Sequence, residues 1–368
     1  MTIDMAITLD TEKTPDALVG RLFEASLGML DVMSVYVGDR LGLYKVLHDG
    51  GAATSSALAS RAGIDERYAR EWLEQQAATG ILEVDDPDAA ASDRRFRLPE
   101  AHVEPLLDRE SPYSITPLGR SLVACAKVLP QLMEAYRTGG GVEWADYGPD
   151  MIEAQGDFNR PWLVRSFGSD LLPAIPAVHD RLLSDPPARV ADVACGVGWA
   201  AIAIAIAYPN VRVDGFDLDA SSIELARQNA RDADLGDRVT FETRDVAEAE
   251  AGGYDLAVII EAVHDMTRPV DVLSSVRRML RPGGVVLIAD EKTADTFTAP
   301  AHEMDRMYYG FSIFTCLPAA MTVRPTAATG TVMRADTMRR LGSEAGFRRV
   351  ERLDEPELDF LRFYLLTP

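Results

Sequence analysis

Five short runs in the second half of the chain hold residues whose types and spacing can do chemistry. The first, Asp192-Val193-Ala194-Cys195-Gly196-Val197-Gly198, is an acid followed by small residues. Small residues let backbone approach a ligand closely, and a helix that starts after them offers free N–H groups. In the second, Val213-Asp214-Gly215-Phe216-Asp217-Leu218-Asp219, Asp217 lies about 20 residues beyond Gly198, where an acid can accept hydrogen bonds from both ribose hydroxyls. These two runs suit a nicotinamide dinucleotide equally well. The third, Thr243-Arg244-Asp245-Val246, adds an acid that can receive an adenine amino group. The fourth, Glu261-Ala262-Val263-His264-Asp265, brings a histidine, the side chain that titrates nearest neutral pH. The fifth, Leu280-Arg281-Pro282-Gly283-Gly284, is a turn.

The elements that must position these runs follow from hydropathy. After Arg189 the pattern alternates between strands and helices, the signature of a parallel doubly wound sheet. Strands are expected over 190–193, 212–216, 239–243, 256–260, 285–289, 350–353 and 361–366, with helices starting near Trp199, Ser221, Pro269 and Asp336. The last two strands have no helical pattern between them, so an antiparallel hairpin should close the sheet. The first four runs then fall at the carboxyl ends of strands, where such sheets bind ligands, and the fifth turns into a strand.

The first half reads differently. Residues 16–37 form a helix that is apolar almost all round and therefore must be buried on more than one side, as a subunit interface would bury it. A short helix over 39–47 follows. Thr54 or Ser55 and then Asp65 can cap two further helices around the turn at Gly63. Strands at 81–84 and 96–98 complete a winged helix. Residues 1–14 read as a loose arm, 15–130 as the winged-helix domain, 131–186 as a helical bridge with scattered aromatics, and 187–368 as the ligand-binding domain.

Composition limits the function. The 368 residues carry 37 Lys+Arg against 58 Asp+Glu, a net charge of −21. That repels polyphosphate and anionic lipid, so neither nucleic acid nor membrane is an expected partner. Residues 1–130 alone hold −8, and the helix carrying Arg67 and Arg70 also carries Glu66, Glu71 and Glu74. A DNA reader concentrates positive charge there instead. Three cysteines build no disulfide framework and no zinc spacing appears, so no metal is expected. The N-terminal residues show neither a basic n-region nor an apolar core, which makes the cytoplasm the expected location.

Taken in order, the five runs resemble the class I S-adenosylmethionine (SAM)-dependent methyltransferases over roughly 180 residues. With the apolar first helix and winged helix, most of the chain resembles small-molecule O-methyltransferases that dimerise through a winged-helix domain, a bacterial subgroup in particular. The resemblance implies a Rossmann-like seven-stranded α/β core behind a mainly α dimerisation domain. It implies methyl transfer from SAM to a small-molecule acceptor, with S-adenosylhomocysteine (SAH) as product, in a homodimer. Asp192, Ala194, Cys195, Gly196 and Gly198 would contact the methionine part. Asp217 would hold the ribose beside Leu218, Asp245 and Val246 would bind the adenine edge, and Glu261 would lie near the sulfonium. His264 would be the general base for a hydroxyl, with Asp265 orienting nearby structure. Ala194 departs from the usual glycine. Trp144, Tyr147, Tyr308, Phe311 and Phe314 are candidates for the acceptor pocket, with core packing as the alternative for each. The competing functional reading is a SAM-responsive transcriptional regulator that binds DNA through the winged helix.

Overall fold

The computed structural model describes residues 13–249 and 252–368. The arm expected over 1–14 lies, apart from its last two residues, outside the described residues. The chain divides into two compact units, with the boundary between Val123 and Ala124.

The first unit opens with a helix, Pro15–Arg40, capped by Thr14, whose Oγ1 accepts from Ala17 N at 3.2 Å. Pro15 stands at its first position, where no N–H is needed. Gly42, at φ +66°, separates it from the next helix, Leu43–Gly50, so Asp39 and Arg40 belong to the first helix rather than the second. Helices Ser55–Ala62 and Glu66–Ala78 follow, capped by Thr54 and Asp65. Strands β1 (Glu83–Val84) and β2 (Phe96–Arg97) pair antiparallel as the wing. Leu43, Leu47, Leu58, Leu73 and Phe96 form the core, and Trp72 Nε1 donates to Ser34 O at 3.0 Å. Four arginines of the helix-turn-helix and wing are tied to acids, Arg70 to Glu66 at 2.6 Å, Arg94 to Glu74 at 2.7 Å, Arg67 to Glu71 and Arg97 to Glu83, whereas Arg61 and Arg95 donate to the backbone of Gly50 and Ala52.

The first helix divides. Its end packs on the core, with Val35 against the cluster and Gly38 buried, whereas Leu22 is 56% exposed, Phe23 62% and Leu30 59%, and residues 19–30 are exposed on every side.

In the second unit seven strands form one sheet: β3 (Arg189–Val193), β4 (Arg212–Asp217), β5 (Val239–Thr243), β6 (Tyr254–Ile260), β7 (Leu280–Glu291), β8 (Arg349–Arg352) and β9 (Leu361–Thr367). Their order is β5-β4-β3-β6-β7-β9-β8, parallel except for β9, which runs antiparallel to both neighbours. All of Tyr254–Ile259 is buried, the near-continuous apolar run of a strand covered on both faces. Helices Trp199–Ala207 and Ala220–Asp232 pack on one face. Helices Pro269–Met279 and Ala335–Glu344 pack on the other. The expected bridge is largely helical and belongs to this unit, with Leu163, Phe167 and Leu172 in the sheet's core cluster.

Candidate active site

The reversal of strand order between β3 and β6 opens a crevice at the carboxyl edge, the place where open α/β sheets bind ligands. The loop after β3 lines it. Gly196 and Gly198 take φ +51° and +85°, and a Cβ built on Gly196 would meet nothing within 4 Å, so this backbone is open to a ligand. Asp217, at the end of β4, accepts from Gly196 N at 2.8 Å through Oδ2 and from Asp219 N at 2.9 Å through Oδ1. Each oxygen keeps a second lone pair, enough for a diol. Leu218 beside it is 71% exposed, an apolar lip for a flat ring. Beneath the loop, Asp192 accepts from Ala201 N at 3.0 Å, and burial pushes its carboxyl up to about 7. Cys195 is a protonated filler, since burial pushes its thiol well up.

Ala194 adopts φ +55°, the left-handed region that favours glycine. The departure noted in the sequence therefore carries backbone strain, on the order of 1 kcal/mol. Ala194→Gly is expected to stabilise the protein by about 0.5–1 kcal/mol, read from the urea midpoint. A lower midpoint would show that the methyl's packing against the core outweighs the strain.

Asp245 is part-exposed and, like Asp217, has one donor on each carboxylate oxygen. Its Oδ1 accepts from Ala247 N at 2.8 Å, capping a short turn, and its Oδ2 accepts from Arg268 Nη2 at 2.9 Å. Val246 is buried, so its backbone rather than its side chain faces a ligand.

The other half of the crevice is acidic. Glu261, just past β6, accepts from Asn159 Nδ2 at 2.8 Å and Gln155 Nε2 at 3.1 Å. Both amides come from helix Pro149–Trp162, in the stretch whose sequence showed no pattern beyond scattered aromatics. His264 is 2% exposed, on a short turn following β6. Its Nδ1 lies 2.9 Å from Asp290 Oδ1 and 2.8 Å from Glu291 Oε2, at the end of β7. The ring's hydrogen bond is therefore to Asp290, with Glu291 as a close counter-charge, and no local sequence pattern points to either because they lie one strand away. With Nδ1 engaged, Nε2 is the nitrogen left for a ligand. Burial alone would pull the imidazolium down, but Glu291 and Asp290 outweigh it and hold His264 well above its usual range.

Cys316, on a π-helical turn over Ser312–Cys316, lies beside the imidazole. Ligand atoms of His264, Asp265 and Cys316 lie within 4.8 Å of one another, as do those of His264, Asp290 and Glu291. Among the described residues these are the sets with the dimensions of a metal site, and a protonated His264 already supplies a cation to both. His302, the other histidine next to an acid, is exposed beside Glu303.

The aromatic candidates divide. Tyr147 donates to Phe314 O at 2.8 Å and packs on Trp144, with ring centroids 6.0 Å apart. Tyr308 donates to Phe360 O at 2.7 Å. Both tyrosines are buried and bonded to backbone, so they build the wall rather than offer a free hydroxyl. Phe311 and Phe314 are half-buried.

Comparison with known proteins agrees with this architecture. Residues 184–338 match the family described as Methyltransferase domain, and residues 28–108 the family described as Rv2258c-like winged HTH domain. A 104-residue stretch is 35% identical to 27-O-demethylrifamycin SV methyltransferase of Amycolatopsis mediterranei (strain S699), covering 28% of this chain and 38% of that one. The chain spans about half or less of the length of such curated relatives. Among solved structures, the mitomycin 7-O-methyltransferase MmcR superposes with a TM-score of 0.69 at 18% identity, over 96% of this chain and 98% of that one. PigF with SAH gives 0.68 at 20% identity, over 96% and 100%. At that identity the likeness establishes the fold. Residues 184–338 are therefore a methyltransferase domain, preceded in the chain by a winged HTH domain of the Rv2258c-like type.

Proposed function

We propose that the protein transfers the methyl group of SAM to a hydroxyl of a small molecule, with His264 as general base. The observation that carries this reading is His264 itself: buried, held through Nδ1 by Asp290 and Glu291, at the sheet edge that also carries Asp217 and Gly196. The residues fit SAM as methyl donor. An open glycine backbone, a diol-accepting aspartate and a carboxylate without a basic partner match its three polar parts. When bound, SAM supplies a methyl carbon activated by the sulfonium. The acceptor oxygen forms a bond to that carbon as the C–S bond breaks, the sulfur keeps the electron pair, and the hydroxyl proton passes to His264 Nε2. Two similar proteins bear names that specify oxygen as the methylated atom. Incubation with methyl-labelled SAM and matched sets of phenols, alcohols and amines tests the reading. Label is expected on oxygen, and label found on amines alone would refute the hydroxyl assignment.

A second copy of the chain is the expected partner. The apolar side chains at 18–30 of helix Pro15–Arg40 are exposed in the single chain, and two copies packed together would cover them. Light scattering should give the mass of a dimer, and Leu22→Glu with Phe23→Glu should give a monomer. A monomeric wild type would sink the assignment. In this scheme residues 15–130 are the dimerising winged-helix part, 131–186 the bridge and 187–368 the catalytic part. Three free cysteines suit the reducing cytoplasm.

A further inference from the structure

Several features converge on the carboxylate of Glu261. The residue takes φ +49°, a conformation that a side-chain-bearing residue keeps only when its surroundings hold it there. Its two donors, Gln155 and Asn159, stand one turn apart on helix Pro149–Trp162. The Asn159 amide has a fixed orientation: Trp162 Nε1 donates to its Oδ1 at 2.9 Å, which turns the NH2 toward Glu261. The helix is pinned to the ligand loop as well. A Cβ on Gly156 would come within 2.3 Å of Val197 Cγ2, and the Arg160 guanidinium lies 4.4 Å from the Trp199 ring centroid. Both amides are thus fixed relative to the loop that carries Gly196.

The choice of donors has a consequence. An arginine or lysine would orient the carboxylate and cancel its charge, whereas an amide orients it and leaves the charge in place. Among the described residues no arginine or lysine forms an ion pair with Glu261, and the charged groups nearest it are His264 and Asp290. Burial pushes its carboxyl up, with the amide hydrogen bonds opposing. His264 offsets part of the cost of this half-desolvated anion, and a cation brought by its ligand would offset more. SAM carries one at its reacting atom, and SAH, with a neutral thioether there, does not.

We propose that Gln155, Asn159 and Glu261 form a charge-reading subsite in which the two amides hold the Glu261 carboxylate for the sulfonium. Gln155 and Asn159 are positioning residues, and Glu261 makes the protein prefer methyl donor over demethylated product. This rests on the SAM reading above. When the C–S bond breaks and sulfur keeps the pair, Glu261 loses its cation, so each turnover weakens retention of the product.

Calorimetric titration with SAM, with SAH and with sinefungin, which has an amine in place of the methylsulfonium, tests the proposal. Wild type should bind SAM and sinefungin at least about fivefold more tightly than SAH. Glu261→Gln should weaken SAM and sinefungin by about tenfold and SAH by less than about twofold. The double variant Gln155→Leu with Asn159→Leu should lower the SAM-to-SAH preference in the same direction, although the carboxylate remains. Asn159→Ala alone should do so to a smaller extent, which keeps the test open if another variant does not fold. Equal loss for all three ligands in Glu261→Gln, or an unchanged preference in both amide variants, would overturn the subsite. A wild type that binds none of them would overturn the cofactor reading itself.

Discussion

Replacing His264 by alanine is expected to lower methyl transfer to a hydroxyl by roughly two to four orders of magnitude, with SAM affinity within about twofold of wild type. In the proposed reaction the ring would supply the proton acceptor, whereas Asp217, the proposed ribose acceptor, and the loop at Gly196 belong to β4 and the β3 turn. The loss should depend on pH. Because Glu291 and Asp290 hold the imidazolium above its usual range, the ring is protonated at neutral pH and cannot accept a proton. Wild-type turnover should therefore rise as pH is raised above neutral, while His264→Ala stays flat. Glu291 shares this rise, because burial pushes its own carboxyl well up, so the ring and Glu291 titrate as a pair. His264 holds Asp290 ionised against the cost of burial, burial keeps the Cys316 thiol protonated, and Asp265 is pushed up by burial only to about 6. Asp290→Asn removes one of the charges that raise the ring, so its pH profile should move to lower pH even if its maximum rate falls. Unchanged turnover in His264→Ala would mean that proximity alone suffices. A profile unmoved in Asp290→Asn would mean that Asp290 does not govern the ring.

Asp217→Ala should cost at least about two orders of magnitude in affinity, and should cost it equally for SAM and SAH. Two charge-assisted hydrogen bonds to a ribose contribute roughly 1.5–3 kcal/mol each, which sets that scale. The same carboxylate also holds Gly196 N and Asp219 N, so its removal loosens the loop that a ligand must meet. The ribose is common to both ligands, hence the equal loss. That equality contrasts with Glu261, where the loss should fall on the cation alone. Retained affinity in Asp217→Ala, by calorimetry on a variant with a wild-type circular dichroism spectrum, would refute the assignment of the ribose site.

The sheet was legible in the sequence because strands buried on both faces must be continuous apolar runs. Each of the seven expected strands lies within about two residues of its place, except that β7 starts earlier, at Leu280. The loop residues were legible for a related reason: a turn at a strand's carboxyl end needs small residues, and those stand adjacent in the chain. Helix Pro149–Trp162 was not read as part of the site. Its relevant side chains, Gln155, Gly156, Asn159 and Arg160, are ordinary polar or small residues whose meaning lies in what they face. The first helix is a different case: its all-round apolar pattern pointed to a subunit interface, and among the described residues of one chain only its end is covered.

By itself the sequence determined the strand-helix alternation, the order of the acid-bearing turns and the acidic balance that weighs against nucleic acid. These depend on neighbours in the chain and on summed charge. Only the tertiary structure decided which carboxylates hold His264 and which amides hold Glu261. Asp290 lies 26 residues from His264, and Asn159 lies 102 residues from Glu261. Hydrogen bonds at such separations depend on strand order and on where a helix is pinned, and no local periodicity records either.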